Sequence, residues 1–211
     1  METNQNETKK QQADAIISRH IYWSVGAGLI PFPLLDIAAV TSIQLDMLKS
    51  LCGLYGVDYS KEQGKSWISA LAGSTLSNVI ARLGASAIKA VPVIGTVVGI
   101  TSVAILSGAA TYAIGQVFAE HFEKGGSLVT FNAADMKKFY KDKMEEGKTI
   151  AANLKEKYKS AVNSKSGKAM EKNTTEKLKE LDKLKNTELI TEDEYVKMRN
   201  DILKSFLDND I

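Results

Sequence analysis

Residues 90–119 read AVPVIGTVVGITSVAILSGAATYAIGQVFA, thirty consecutive positions without a charge between Lys89 and Glu120. A bilayer core takes about twenty apolar residues at about 1.5 Å each, so the stretch is long enough to span one. Thr96, Thr101, Ser102, Ser107, Thr111 and Gln116 dilute it, and it is poorer in large aliphatic side chains than a segment facing lipid all round. A helix that is apolar on every side is equally what the centre of a helical bundle requires. Two readings therefore stay open: a membrane-inserting helix and a buried core helix. Either way the stretch is helical, and the fold follows from it.

Small residues recur at helix-contact spacing. Gly95 and Gly99 are four apart and lead into Ser102, Ala109 and Ala113, and upstream Gly73, Ser77, Ala81 and Gly84 form a second ladder. Such ladders let two helix backbones approach closely. They argue that these helices pack on helices.

Outward from this core the chain is punctuated by proline. Pro31 and Pro33 end a first helix expected from Ala13, and Pro92 precedes the apolar helix ending near Phe122. Between them, one helix runs from about Leu34 to Tyr55 and stops at Gly56; another runs from Ser60 to about Ile88. Residues 30–43 lie over 90–103 at a shift of sixty positions, which suggests two related hairpins. Asp36 falls in the first turn after Pro33, where the helix dipole favours an anion.

Charge divides the chain. Residues 24–119 carry nine charged side chains and residues 120–211 carry thirty-seven. From Ala134 to Ala161 the pattern is a charged helix with a thin apolar stripe through Met136, Phe139, Tyr140, Met144, Ile150, Ala151, Leu154 and Tyr158. Residues 163–168 read as a flexible linker, and the last forty residues as two short helices, Thr175 to about Lys185 and a second from Thr191. Thr191-Glu192-Asp193-Glu194 is a capping box. The expected division is a disordered N-terminus over 1–12, an apolar helical domain over 13–131, a charged helix and linker over 132–173, and a hairpin over 174–211. The fold class is all-α: two Pro-punctuated hairpins in a bundle, then a charged helix and a short helical hairpin.

Chemistry is sparse. The sequence holds no phosphate-binding loop, no dinucleotide fingerprint, no HExxH and no nucleophile elbow. Cys52 stands alone, so no disulfide framework or Cys-rich metal site is expected, and His20 and His121 have no ligand-spaced partner. The polar N-terminus, Met1 to Gln12, has no signal-peptide core, so an intracellular place is expected. A net charge of +2 gives no reason to expect nucleic acid. No enzyme, cofactor or metal is expected.

Two stretches resemble known families. Residues 14–131 resemble the DUF697 family, a bacterial helical domain. The resemblance is carried by Gly26-Ala27-Gly28-Leu29-Ile30-Pro31-Phe32-Pro33-Leu34-Leu35-Asp36, by Gln44-Leu45-Asp46-Met47-Leu48 and Leu54-Tyr55-Gly56-Val57, by Ala90 to Thr96 around Pro92, by Ala110 to Gly115, and by His121 to Gly126. It implies a membrane-associated domain that often follows a GTPase-like domain, so a nucleotide switch would come from a partner. Residues 174–206 resemble a SHOCT module through Leu178, Leu181, Leu184, Leu189, Ile190, Thr191, Glu192, Glu194, Tyr195 and Lys204, with Asn186-Thr187-Glu188 where that module commonly has a glycine turn. That implies an interaction or self-association hairpin.

The expectation is a non-enzymatic scaffold or adaptor on the inner face of a bacterial membrane. Its apolar domain would meet lipid, its Lys-rich helix 137–159 would lie near anionic headgroups, and its hairpin would project to bind a protein, GTPase-like or a second copy. A small oligomeric pore and a soluble module for a lipid or partner helix are the alternatives.

Overall fold

Helix α1, Glu2–Leu29, starts the chain. No glycine or proline occurs before Gly26, so nothing interrupts the backbone hydrogen bonding. Residues 2–12, expected as part of a disordered lead-in over 1–12, belong to this helix. The computed structural model describes residues 2–29, 37–73, 98–162 and 165–208. Within them α2 is Ile37–Tyr55, α3 covers 61–73, α4 is Val98–Glu123, α5 is Ala133–Val162, α6 is Lys165–Asn186 and α7 is Glu192–Asp208. No strand occurs among the described residues, and the all-α bundle is as the sequence predicts.

Helix ends follow local chemistry. Gly56 takes φ +71°, and Val57 N–H donates to Cys52 O at 2.8 Å, closing α2 where the sequence places its cap. Gly125, at φ +80°, closes α4 in the same way. Ser60 caps α3 by accepting from Gln63 N–H at 3.3 Å. The capping box opens α7: Thr191 N–H donates to Glu194 Oε2 at 2.9 Å, and Glu194 N–H donates to Thr191 Oγ1 at 3.3 Å. In the α6–α7 turn Glu188 occupies the left-handed region at φ +55°, so the turn keeps a glycine-type geometry without a glycine. Helix α6 starts at Lys165 rather than Thr175, so it extends through Ser166 and Gly167 despite their weak helix propensity.

Helix α4 is the axis. Ala104, Ala109, Ala113, Ile114, Val117 and Phe118 are fully buried. Its glycines set the spacing: a Cβ on Gly108 would lie 2.5 Å from Val25 Cγ2 and 2.9 Å from Ala151 Cβ, and one on Gly115 would lie 2.7 Å from Ile17 Cγ1. A Cβ on Gly147 of α5 would lie 2.9 Å from Ala109 O. The close-packing principle holds, but among the described residues it works through Gly108, Gly115 and Gly147 beside the predicted Ala109 and Ala113.

Side-chain pairs fix the directions. Asp14 meets Gln116 and Ser24 meets Thr111, so α1 runs antiparallel to α4. Gln44 meets Thr111 and Tyr55 packs on Phe122, so α2 runs parallel to α4. Tyr112 meets Glu146 while Ala151 nears Gly108, so α5 is antiparallel to α4. One end of the bundle therefore gathers the end of α1, the starts of α2 and α4, and the end of α5. Trp67 Nε1 donates to Leu128 O at 3.1 Å, tying α3 to the α4–α5 turn at the other end.

No helix among the described residues is long and apolar enough to cross a membrane. Over Ala104–Ala119 the uncharged stretch is a core helix, buried on most of its sides by α1, α2 and α5.

Candidate functional site

The C-terminal hairpin does not project. Helix α7 lies against α1 and α2, which corrects the expected free interaction hairpin. Leu178, with Leu203 and Phe206, joins Trp23, Ile43 and Tyr158 in an apolar cluster separate from the main core, with Tyr22, Ala27 and Ile202 at its margin. Leu181 and Tyr195 are buried, and Leu184 and Ile190 are half-buried. Tyr195 Oη donates to Asp182 Oδ1 at 2.7 Å, and Arg199 donates to Tyr195 Oη at 2.9 Å. Only Leu189, 71% exposed, faces outward among the six hairpin positions singled out from sequence. The amphipathic stripes of α6 and α7 were filled by this chain's own body, because the body offered an apolar seat next to them.

Polar contacts converge on Asp46 beside this cluster. Lys204 Nζ of α7 donates to Asp46 Oδ2 at 2.7 Å, and His20 Nε2 of α1 faces the same oxygen at 3.4 Å. His20 is fully buried, and its Nδ1 donates to Ile16 O at 2.7 Å. Trp23 joins the group: the His20 ring packs edge-on at 4.7 Å, Lys204 Nζ lies 4.7 Å from the indole centre, and the Arg19 guanidinium lies 5.4 Å from it. Asn200 donates from Nδ2 to Ser42 Oγ one turn along. The hydrogen bond from His20 holds the Asp46 carboxyl well below its ordinary range; partial burial opposes this, and Lys204 adds to it. Asp46 is thus ionised at any physiological pH.

Both nitrogens of His20 are engaged within the protein, Nδ1 with Ile16 O and Nε2 with Asp46, and among the described residues no nucleophile adjoins the pair. The arrangement holds helices together. Cys52 is buried and burial pushes its thiol up to about 11, so it is no ready nucleophile. Among the described residues no three His, Cys, Asp or Glu side chains are placed to hold a metal. A second polar group, Ser24 Oγ with Thr111 Oγ1 at 2.8 Å and Gln44 Nε2 donating to Thr111 at 3.3 Å, ties α1, α2 and α4 inside the core.

Of the other sequence-chosen positions, Gly99 and Ser102 lie on the first turns of α4 and Gly73 is the last described residue of α3. Gly95, Ser77, Pro31, Pro33, Asp36 and Pro92 fall outside the described residues. Sequence reasoning missed the pairing of Asp46 with His20 and Lys204. The available signal was Asp46 itself, a carboxylate inside a long helix from a region with nine charges.

A family model described as "Domain of unknown function (DUF697)" matches residues 1–149. The match ends before the C-terminal hairpin, whose SHOCT resemblance rests on its sequence pattern alone. The chain is also similar to "Magnetosome membrane protein 22" of Magnetospirillum gryphiswaldense, 37% identical over 151 residues, which is 71% of this chain and 77% of that protein. No solved structure matches the chain.

Proposed function

The chain belongs to the DUF697 family, and from that membership and its similarity to a magnetosome membrane protein we infer a membrane-associated, non-enzymatic helical protein that serves as a scaffold or adaptor. The membrane naming of the relative is the observation that carries the reading. Supporting it is the uncharged run that begins at Ala90: its buried part is α4, whose first turn lies at the end where α1 stops and α2 starts. That end takes lipid, on the cytoplasmic side of a bacterial membrane. Helix α5 finishes there, and each Lys near anionic headgroups adds about 1 kcal/mol of attraction.

With α4 occupied as a core helix over Ala104–Ala119, attachment uses the end of the bundle where α1 stops and α2 and α4 start rather than a span through α4. A protein partner, GTPase-like or a second copy, binds surfaces other than Leu178, Leu181 and Tyr195, which this chain itself covers. Flotation with vesicles of phosphatidylglycerol and phosphatidylethanolamine tests the reading, followed by carbonate extraction of cell membranes. Co-flotation with release by carbonate is the expected result. A protein that stays with the soluble fraction in both assays ends the membrane reading.

A further inference from the structure

The hairpin seat and the lipid-facing end proposed above are neighbours. Trp23 lies six residues, about 9 Å of helix, from the end of α1 at Leu29, and Tyr158 lies four residues from the end of α5 at Val162. Tyr22 and Tyr158 meet edge-on at 6.0 Å, and Tyr158 meets Phe206 of α7 at 6.0 Å. Under α7 there is thus a patch of Tyr22, Trp23, Ile43 and Tyr158, with Arg19 over the indole. Amphipathic rings beside a cation, just below an apolar end, are what settle at the headgroup level of a bilayer.

Two observations mark α7 as a separable cover. Its apolar contacts form their own small cluster, apart from the main core, and a small cluster with ionic contacts is the kind that opens before the core does. The seat residues Arg19, Tyr22, Trp23, Ile43 and Asp46 lie inside the family-matched residues 1–149, whereas Leu178, Leu203, Lys204 and Phe206 lie beyond them. Tyr158 also lies beyond the matched residues, so the cover is an addition to a domain that already carries the Tyr22, Trp23 and Ile43 part of the patch.

We propose that the α6–α7 hairpin is an autoinhibitory latch, held by Lys204 on Asp46, that masks an aromatic membrane-docking patch on α1, α2 and α5. The inference rests on the membrane reading above. Opening the hairpin exposes Trp23 and its neighbours to the bilayer surface. Closing it returns Lys204 to Asp46 and Asn200 to Ser42.

The test uses the full chain, Lys204→Glu to place like charges at the latch, Lys204→Arg to keep it, and Lys124→Glu as an exposed control with the same charge change. Hydrogen exchange reads opening without lipid, and flotation with phosphatidylglycerol vesicles reads docking. Lys204→Glu should speed exchange of α7 amides about tenfold while α4 amides stay unchanged. It should also float several-fold better despite its lost positive charge, with the Arg and Lys124→Glu forms near the parent. Equal acceleration in α7 and α4 would overturn a separable latch. Faster α7 exchange with flotation no better than the parent overturns the inhibitory role, while a parent that floats leaves the membrane reading standing. If neither the parent nor the opened form floats, both ideas fail.

Discussion

Lys204 and Asp46 are 158 positions apart in sequence and meet at 2.7 Å, joining the last helix of the chain to its second. His20 approaches the same carboxylate from α1, so one oxygen ties three helices.

The Asp46 carboxyl is held below its ordinary value, chiefly by His20, so its contribution is present above about pH 4 and lost as pH falls through the folded-state value. Asp46→Asn should therefore lower stability at pH 7 by about 1 kcal/mol, a figure discounted because the side chain is 43% exposed. The difference between the two proteins should shrink as the pH is taken below 4. Urea titrations at pH 7 and pH 3 check this; a gap that widens in acid contradicts the linkage.

Gly108 lies where α1 and α5 close on α4. Gly108→Ala should lose about 1–3 kcal/mol by overpacking against Val25 and Ala151, although alanine is the better helix former. Gly53→Ala meets open space and should gain a few tenths of a kcal/mol. Thermal unfolding of the two variants should move in opposite directions.

Thr111 serves Ser24 and Gln44 at once. Thr111→Val should cost about 1–3 kcal/mol by leaving buried polar groups short of a partner. Adding Ser24→Ala should cost less than the sum of the two single changes. A double-mutant cycle in denaturant measures that coupling, and strict additivity would argue against a shared network.

Glu188 adopts φ +55°, which a side chain tolerates and glycine prefers. Glu188→Gly should steady the α6–α7 turn by about 0.5–1 kcal/mol, less glycine's larger entropy in the unfolded chain. Slower exchange of the amides around Leu189 is the readout. Unchanged or faster exchange would show that the turn geometry carries no such strain.

Cys52 is 1% exposed and its thiol titrates near 11 because burial disfavours the thiolate. Alkylation of the native protein at pH 8 should be slow and become fast when denaturant opens α2. Rapid native labelling would mean that α2 opens locally.

Much of this protein follows from residue order alone. The ends of α2 at Gly56 and of α4 at Gly125, the capping box at Thr191, and the stripe from Met136 to Tyr158 are local signals. Each depends on a few neighbouring residues and on helix period. The points where the helices extend past the expected bounds are also local in origin. Polar composition over 1–12 and 163–168 predicts disorder and a linker, yet residues 2–12 and 165–168 are helical, because composition weakly constrains a helix continued from, or seated on, packed elements.

Whether the run from Ala90 to Ala119 meets lipid or protein depends on what surrounds it, and sequence carries no coordinate for that. The bundle decides it over Ala104–Ala119, where α1, α2 and α5 bury most of α4 and only Ile105, Leu106, Ala110 and Gln116 are half-buried. The same holds for the hairpin: its apolar stripes announce that Leu178, Leu203 and Phe206 must be covered, but only the fold shows Trp23, Ile43 and Tyr158 beneath them. Hydrophobic burial is non-directional, so periodicity says that a face will be buried and tertiary contact selects the partner.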